Sequence, residues 1–207
     1  MESMQTWTEW HLPDLSEHEV DALSLRYGMP VRRTFTLAAD SYTRPYHFGR
    51  RNDRRAEVVF AIEDPAGGLW LHAKQHYPRH IFRLPSGGVH WGETIEHALL
   101  REMDEETALT VKIQRFLGII EYRFLNGDQV ARFASYVFHV RSAGGAPRPH
   151  DDEAITGFCQ VTPGELVQVA ANLRGVNGDR RGWGQWRALA HDLVYDTLAG
   201  ASISTDL

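Results

Sequence analysis

Residues 87–109 read Gly-Gly-Val-His-Trp-Gly-Glu-Thr-Ile-Glu-His-Ala-Leu-Leu-Arg-Glu-Met-Asp-Glu-Glu-Thr-Ala-Leu, and the rest of the chain is organised around them. An α-helix advances about 100° per residue, so Glu102, Glu105 and Glu106 fall within roughly a third of its circumference. Carboxylates spaced i,i+3 and i,i+4 repel one another and cost helix stability unless a cation sits among them. Oxygen donors of this kind suit Mg²⁺ or Mn²⁺. Thr94 can cap the helix, with Glu93 placing negative charge near its positive end, and Ile95, Ala98, Leu99 and Met103 supply an apolar face. The preceding Leu84-Pro85-Ser86-Gly87-Gly88 run reads as a tight loop that leaves carbonyls free for a metal.

The stretch resembles the Nudix hydrolase signature: Gly87, Glu93, Arg101-Glu102, the aliphatic position Met103, Glu105-Glu106 and the closing aliphatic Leu109. Ala108 alone departs, standing where the family has its second glycine. The competing reading is a solvated acidic helix, which a pattern this long disfavours. The resemblance implies a Nudix αβα sandwich, an α/β fold with a mixed sheet. It also implies metal-dependent cleavage of a phosphoanhydride in a nucleoside diphosphate linked to another group. Glu102, Glu105, Glu106 and the Gly87 carbonyl would then hold Mg²⁺ or Mn²⁺, neutralising phosphate oxygens and activating a water. Glu93 and Arg101 would pair to hold the loop against the helix in support of catalysis. At Ala108 the helix is expected to end with a positive φ, a strained choice for alanine.

Composition bounds the class. The 207 residues are 43% hydrophobic and carry a net charge of −5, enough for a core and without a basic field to recruit nucleic acid or an anionic membrane. Cys159 is the sole cysteine, so no intramolecular disulfide can form, consistent with a reducing compartment. No apolar run approaches the roughly 20 residues that span a bilayer, and the N-terminus lacks the pattern of a signal peptide. A cytoplasmic location is the default expectation. The expected partner is a small nucleoside diphosphate derivative, with no membrane or nucleic acid and with a homodimer left open.

Along the chain, residues 1–55 read as an N-terminal extension packed on a Nudix domain at 56–200, followed by a tail at 201–207. The lead carries Trp7 and Trp10. Ser16-Glu17-His18-Glu19 reads as a capping box opening a short helix that Gly28 and Pro30 stop. Val31–Leu37 reads as a strand. Residues 38–56 read as a solvated loop carrying Arg44, Arg50, Arg51, Arg54 and Arg55, with phosphate or partner binding as the alternative. Strands are expected at Glu57–Glu63, Leu69–Lys74, His80–Leu84, Val111–Phe124, Gln129–Arg141 and Ile155–Val161, with a hairpin turn at Asn126-Gly127-Asp128. Thr162-Pro163-Gly164-Glu165 opens a helix to about Leu173, and a last helix runs from about Trp183 to Leu198.

Relatives of the resembled family often use a further glutamate from a loop beyond the sheet as metal ligand or base. Glu153 is the candidate, against the reading of a solvated acidic turn. Lys74, Arg79 and Arg83 lie near the signature and could meet phosphates, although each could equally serve solubility. Tyr122, Phe124 and Trp91 could stack on a base, but strand aromatics more often belong to a core. The histidines show no zinc spacing and read as surface or packing residues. Cys159 reads as a buried small hydrophobe.

The chain lacks a proline about 16 residues beyond the box of the kind associated with ADP-ribose pyrophosphatases. A nucleotide sugar, dinucleotide, inositol pyrophosphate or oxidised nucleoside triphosphate all remain open as substrate. The rival class is a regulatory Nudix domain that senses a nucleotide without turnover, and the intact Arg101-Glu102 and Glu105-Glu106 pairs argue against it.

Overall fold

The computed structural model describes residues 8–10, by their backbone alone, 15–48 and 54–200. The Trp7 and Trp10 side chains, Arg50, Arg51 and the 201–207 tail lie outside the described residues. The strands are β1 (Thr8–Trp10), β2 (Val31–Ala38), β3 (Arg54–Glu63), β4 (Leu69–Lys74), β5 (Ser86–His90), β6 (Val111–Asn126), β7 (Gln129–Ser142) and β8 (Ile155–Val161). The helices are α1 (Glu17–Tyr27), α2 (Thr43–Phe48), α3 (Ile95–Thr107), α4 (Leu166–Arg174) and α5 (Arg181–Leu198).

The described strands join in one mixed sheet in the order β2-β6-β7-β3-β4-β8, with β1 paired to β7 and β5 to β3. β3 explains why helices cover both faces. Its inner run is buried throughout, and alternate residues enter different cores: Val58, Phe60 and Ile62 pack with α1 and α3, while Val59 and Ala61 pack with α4 and α5. The result is the expected αβα sandwich. The segment that carries α1 and β2 contributes to the same sheet and core, since β2 pairs in parallel with β6 from Val31↔Gly118 to Ala38↔Leu125.

Several sequence expectations hold locally. Ser16 caps α1 by accepting from Glu19 N, although the Glu19 carboxylate binds Arg55 and Ile95 N instead of closing the capping box. The β6–β7 hairpin turns on Gly127, φ 58°, and Asp128 between the paired Asn126 and Gln129. Thr162 and Glu165 form a full capping box before α4.

Three expectations need correction. The 38–56 loop contains α2, nucleated by Asp40, whose Oδ1 accepts from Tyr42 N and Thr43 N, and Arg54 and Arg55 belong to β3. The predicted His80–Leu84 strand is a turn with His80 at φ 64°, followed by a single bridge between Arg83 and His72. The Ser86–Gly88 loop is strand β5, antiparallel to β3. Its glycines serve close approach: a Cβ on Gly87 would overlap the Glu102 carboxyl group, and one on Gly88 would crowd the Arg54 guanidinium at 3.0 Å.

Candidate active site

Helix α3 supplies the first part of the site. Thr94 Oγ1 accepts from His97 N, and Ile95, Ala98, Leu99 and Met103 are buried against the sheet, fixing the rotation that turns Arg101, Glu102, Glu105 and Glu106 toward β5 and β4. The helix ends on Ala108 at φ 48°, ψ 24°, whose N–H donates to Asp104 O, so alanine adopts the left-handed conformation anticipated for this position.

Arg101 gathers three carboxylates. Its Nε and Nη2 donate to the two oxygens of Glu93 at 2.8 and 2.9 Å, and Nη1 donates to Glu102 at 2.9 Å and Glu105 at 3.0 Å. Nη2 also donates to Gly88 O at 2.8 Å, which clamps the helix to β5. The Arg101 bonds hold the Glu93 carboxyl down at about 2. Burial raises Glu102 above the ordinary carboxylate range despite Arg101.

Lys74 gathers the other two. Its Nζ lies 2.8 Å from Glu106 Oε1 and 2.7 Å from Glu153 Oε2, and Lys74 is raised because these anions outweigh its burial. Glu153 reaches this place because the loop before β8 is sewn to α3 and β4. Arg148 N donates to Thr107 O, His150 N to Glu105 O and Gln75 N to Ala154 O, each at 2.8 Å. Glu106 is fully buried, burial pushes its pKa up to about 7, and neither oxygen has a well-directed hydrogen bond.

The three helix carboxylates therefore do not meet at one point. Two share Arg101 and the third joins Glu153 on Lys74. Among the described residues no three His, Cys, Asp or Glu groups stand ready to hold a cation. The donor set nevertheless suits a hard cation: it is all oxygen, it includes a buried carboxylate with no directed hydrogen bond, and it presses Glu102 onto Gly87.

Beside Gly87 and Lys74 opens a cavity of about 160 Å³ lined also by Arg83, Tyr42, Tyr46 and Trp183. Arg83 is 5% exposed and held by neutral partners: Nε donates to Tyr77 Oη at 2.6 Å, and Nη1 to Leu84 O and Ser86 Oγ at 2.8 Å. Among the described residues no carboxylate pairs with it. The other cations and aromatics predicted from sequence fare less well. Arg79 is exposed on a turn and not on a strand. Tyr122 and Phe124 are core residues packed around Trp186, with the Tyr122 hydroxyl 3.1 Å from Ser135 Oγ, so Tyr122 is not available to stack on a base. Trp91 stays half-exposed beside His97. Cys159 is half-buried.

Sequence reasoning missed His72, Tyr77, Glu57 and Arg187. His72 is fully buried beside Glu106, and Arg187 donates to Glu57 at 2.6 Å in the wall of the cavity. One signal was available: His72 shares the face of β4 with Lys74 by the two-residue period of a strand.

A NUDIX domain model matches residues 53–182, more than half of the chain. The chain belongs to the NUDIX family. Among its relatives, the ADP-ribose pyrophosphatase of Methanocaldococcus jannaschii is 39% identical over 129 residues, covering 62% of this chain and 74% of that protein. As an enzyme, this NUDIX protein is a pyrophosphohydrolase. The NAD-capped RNA hydrolase NudC of Haemophilus influenzae is 32% identical over 81 residues, 38% of this chain and 31% of that protein. The crystal structure of a UDP-X diphosphatase superposes with a TM-score of 0.47 at 15% identity, covering 91% of this chain and 73% of the other. No helix among the described residues is long and apolar enough to cross a membrane.

Proposed function

We propose that this NUDIX protein hydrolyses a phosphoanhydride bond in a nucleoside diphosphate linked to another group, with a divalent cation as cofactor. The observation that carries the reading is the pairwise gathering of Glu102 with Glu105 on Arg101 and of Glu106 with Glu153 on Lys74, beside a cavity that Lys74, Gly87 and the carboxylate-free Arg83 guanidinium line.

In this reading Glu102, Glu105, Glu106, Glu153 and the Gly87 carbonyl hold Mg²⁺ or Mn²⁺. When bound, the cation neutralises phosphate oxygens and favours ionisation of the attacking water. Glu93 and Arg101 keep β5 and α3 in register so that the carboxylates face one another. Arg83 binds a phosphate oxygen, because a buried guanidinium with only neutral partners gains most from an anion. Lys74 moves from its carboxylates to the substrate's phosphates, and Glu153, which Lys74 then releases, is the candidate to accept the proton of the water. Ring faces in the cavity wall carry guanidinium groups, Arg54 over Tyr46 and Arg187 over Trp186, which favours anionic and hydroxyl-bearing groups over a stacked base.

ADP-ribose leads the candidate substrates because of the relationship to the Methanocaldococcus jannaschii protein, although Leu125 stands where a proline was sought. Cytoplasmic residence belongs to the same proposal and rests on cysteine usage. The test is a panel of ADP-ribose, nucleotide sugars, dinucleotides and nucleoside triphosphates incubated with Mg²⁺ or Mn²⁺ and assayed for nucleoside monophosphate or phosphate. Release of AMP and a pentose phosphate from ADP-ribose is expected. No turnover of any compound would leave the sensing role in its place.

A further inference from the structure

His72 and Arg83 are locked together by their backbones, His72 N donating to Arg83 O at 2.9 Å and Arg83 N to His72 O at 3.0 Å. Their side chains are connected as well. Arg83 Nε donates to Tyr77 Oη, and that hydroxyl lies 3.4 Å from His72 Nε2. A guanidinium can only donate, so the phenol oxygen accepts from Arg83 and its own hydrogen is free for the imidazole. Nε2 then acts as acceptor, and the single proton of the neutral ring sits on Nδ1.

Nδ1 faces Glu106 Oε2 at 3.6 Å, and both side chains are fully buried. Neither atom has a hydrogen-bond partner. A buried donor and a buried acceptor that face each other, each without another partner, are complementary. A shift of about 0.7 Å would bring them to ordinary hydrogen-bond length.

We propose that His72 is a positioning residue for Glu106: its Nδ1–H, fixed in that tautomer by Tyr77 and Arg83, orients the Glu106 carboxylate for the cation. The inference rests on the reading of Glu106 as a metal ligand. It makes the chain Arg83–Tyr77–His72–Glu106 a continuous link between the phosphate-binding cation and the metal site. Groups that orient metal ligands typically contribute 10- to 100-fold in metal affinity.

The test uses Mn²⁺ alone as probe, titrated calorimetrically into the wild type and into His72→Asn, His72→Gln, His72→Leu and Glu106→Gln, with melting in EDTA to establish folding. The amide nitrogen of asparagine falls near the place of Nδ1, whereas that of glutamine falls near Nε2. His72→Asn should therefore bind Mn²⁺ within about 3-fold of wild type, and His72→Gln and His72→Leu should lose about 10-fold or more. Should His72→Leu not fold, the Asn and Gln pair still decides. Equal losses in Asn and Gln, or wild-type affinity in Gln, would overturn the role of His72 while binding still depended on Glu106. Wild-type binding unchanged in Glu106→Gln would overturn both assignments together.

Discussion

The Arg101 cluster and the Lys74 cluster solve the same electrostatic problem in opposite ways. Arg101 is planar and makes five directed contacts with Glu93, Glu102, Glu105 and Gly88 O, in a partly exposed setting. Lys74 is a point charge between two carboxylates, one of them fully buried and lacking directed hydrogen bonds. A bidentate guanidinium pair fixes geometry, whereas an ammonium on a flexible stem holds charge with little direction. In the proposed function Arg101 and Glu93 of the first cluster hold α3 against β5 with Glu102 and Glu105 in place, and Lys74 of the second exchanges partners during turnover.

The largest effect should come from removing ligand charges. Glu106→Gln and Glu102→Gln should each lower turnover by roughly two orders of magnitude or more while far-UV circular dichroism stays unchanged. Near-wild-type turnover in either variant with Mg²⁺ would remove that residue from the metal set and merge the two clusters into one structural device.

Glu153 gives the next effect. Glu153→Gln should reduce turnover at least about tenfold, and Asp151→Asn and Asp152→Asn, on the same turn but without a bond to Lys74, should have little effect. Similar small changes in all three variants would make Glu153 a solvated turn residue after all.

A third test concerns stability and has a defined pH window. Burial raises Glu106 from 4.5 to about 7, so between those values the folded state binds more protons than the unfolded chain. Stability from this group is present at low pH and is lost as pH rises through about 7. In EDTA, Glu106→Gln should therefore match the wild type below pH 4.5 and exceed it above pH 7, by at most about 3 kcal/mol. Urea melts of both proteins at several pH values will show whether the Lys74 cluster is as poorly satisfied as its geometry indicates. A variant equally stable at every pH would mean that Lys74 compensates Glu106 fully.

The smallest effect belongs to Ala108, one turn beyond the ligands. Ala108→Gly should relieve the left-handed strain and stabilise the protein by up to about 1 kcal/mol, reduced by the freedom glycine gives the unfolded chain. Chemical denaturation checks this, and turnover should barely change.

The contrast between the clusters is also a contrast in legibility. The Arg101 cluster lies within residues 87–109, where helical periodicity brings Glu102 and Glu105 to one face, the family resemblance implies the Glu93–Arg101 pair, and the Thr94 cap and the Ala108 terminus are local features. The layer order was equally accessible, because strand alternation, the Gly127 turn and the Thr162 capping box depend on short-range chemistry. Lys74, Glu106 and Glu153 were each candidates from the sequence, but their meeting was not readable, since it combines side chains from β4, α3 and the 151–153 turn that backbone bonds to the end of α3 bring together. Glycine misled for a related reason. Gly87 and Gly88 look like loop formers in sequence, yet tertiary packing of Glu102 and Arg54 against them is what excludes a Cβ, and the backbone itself is an ordinary strand. Tyr122 and His72 show the same dependence, Tyr122 packed into the core around Trp186 and His72 fully buried facing Glu106. A side chain's type fixes what it can bond, but long-range packing decides what it meets and whether water is there to compete.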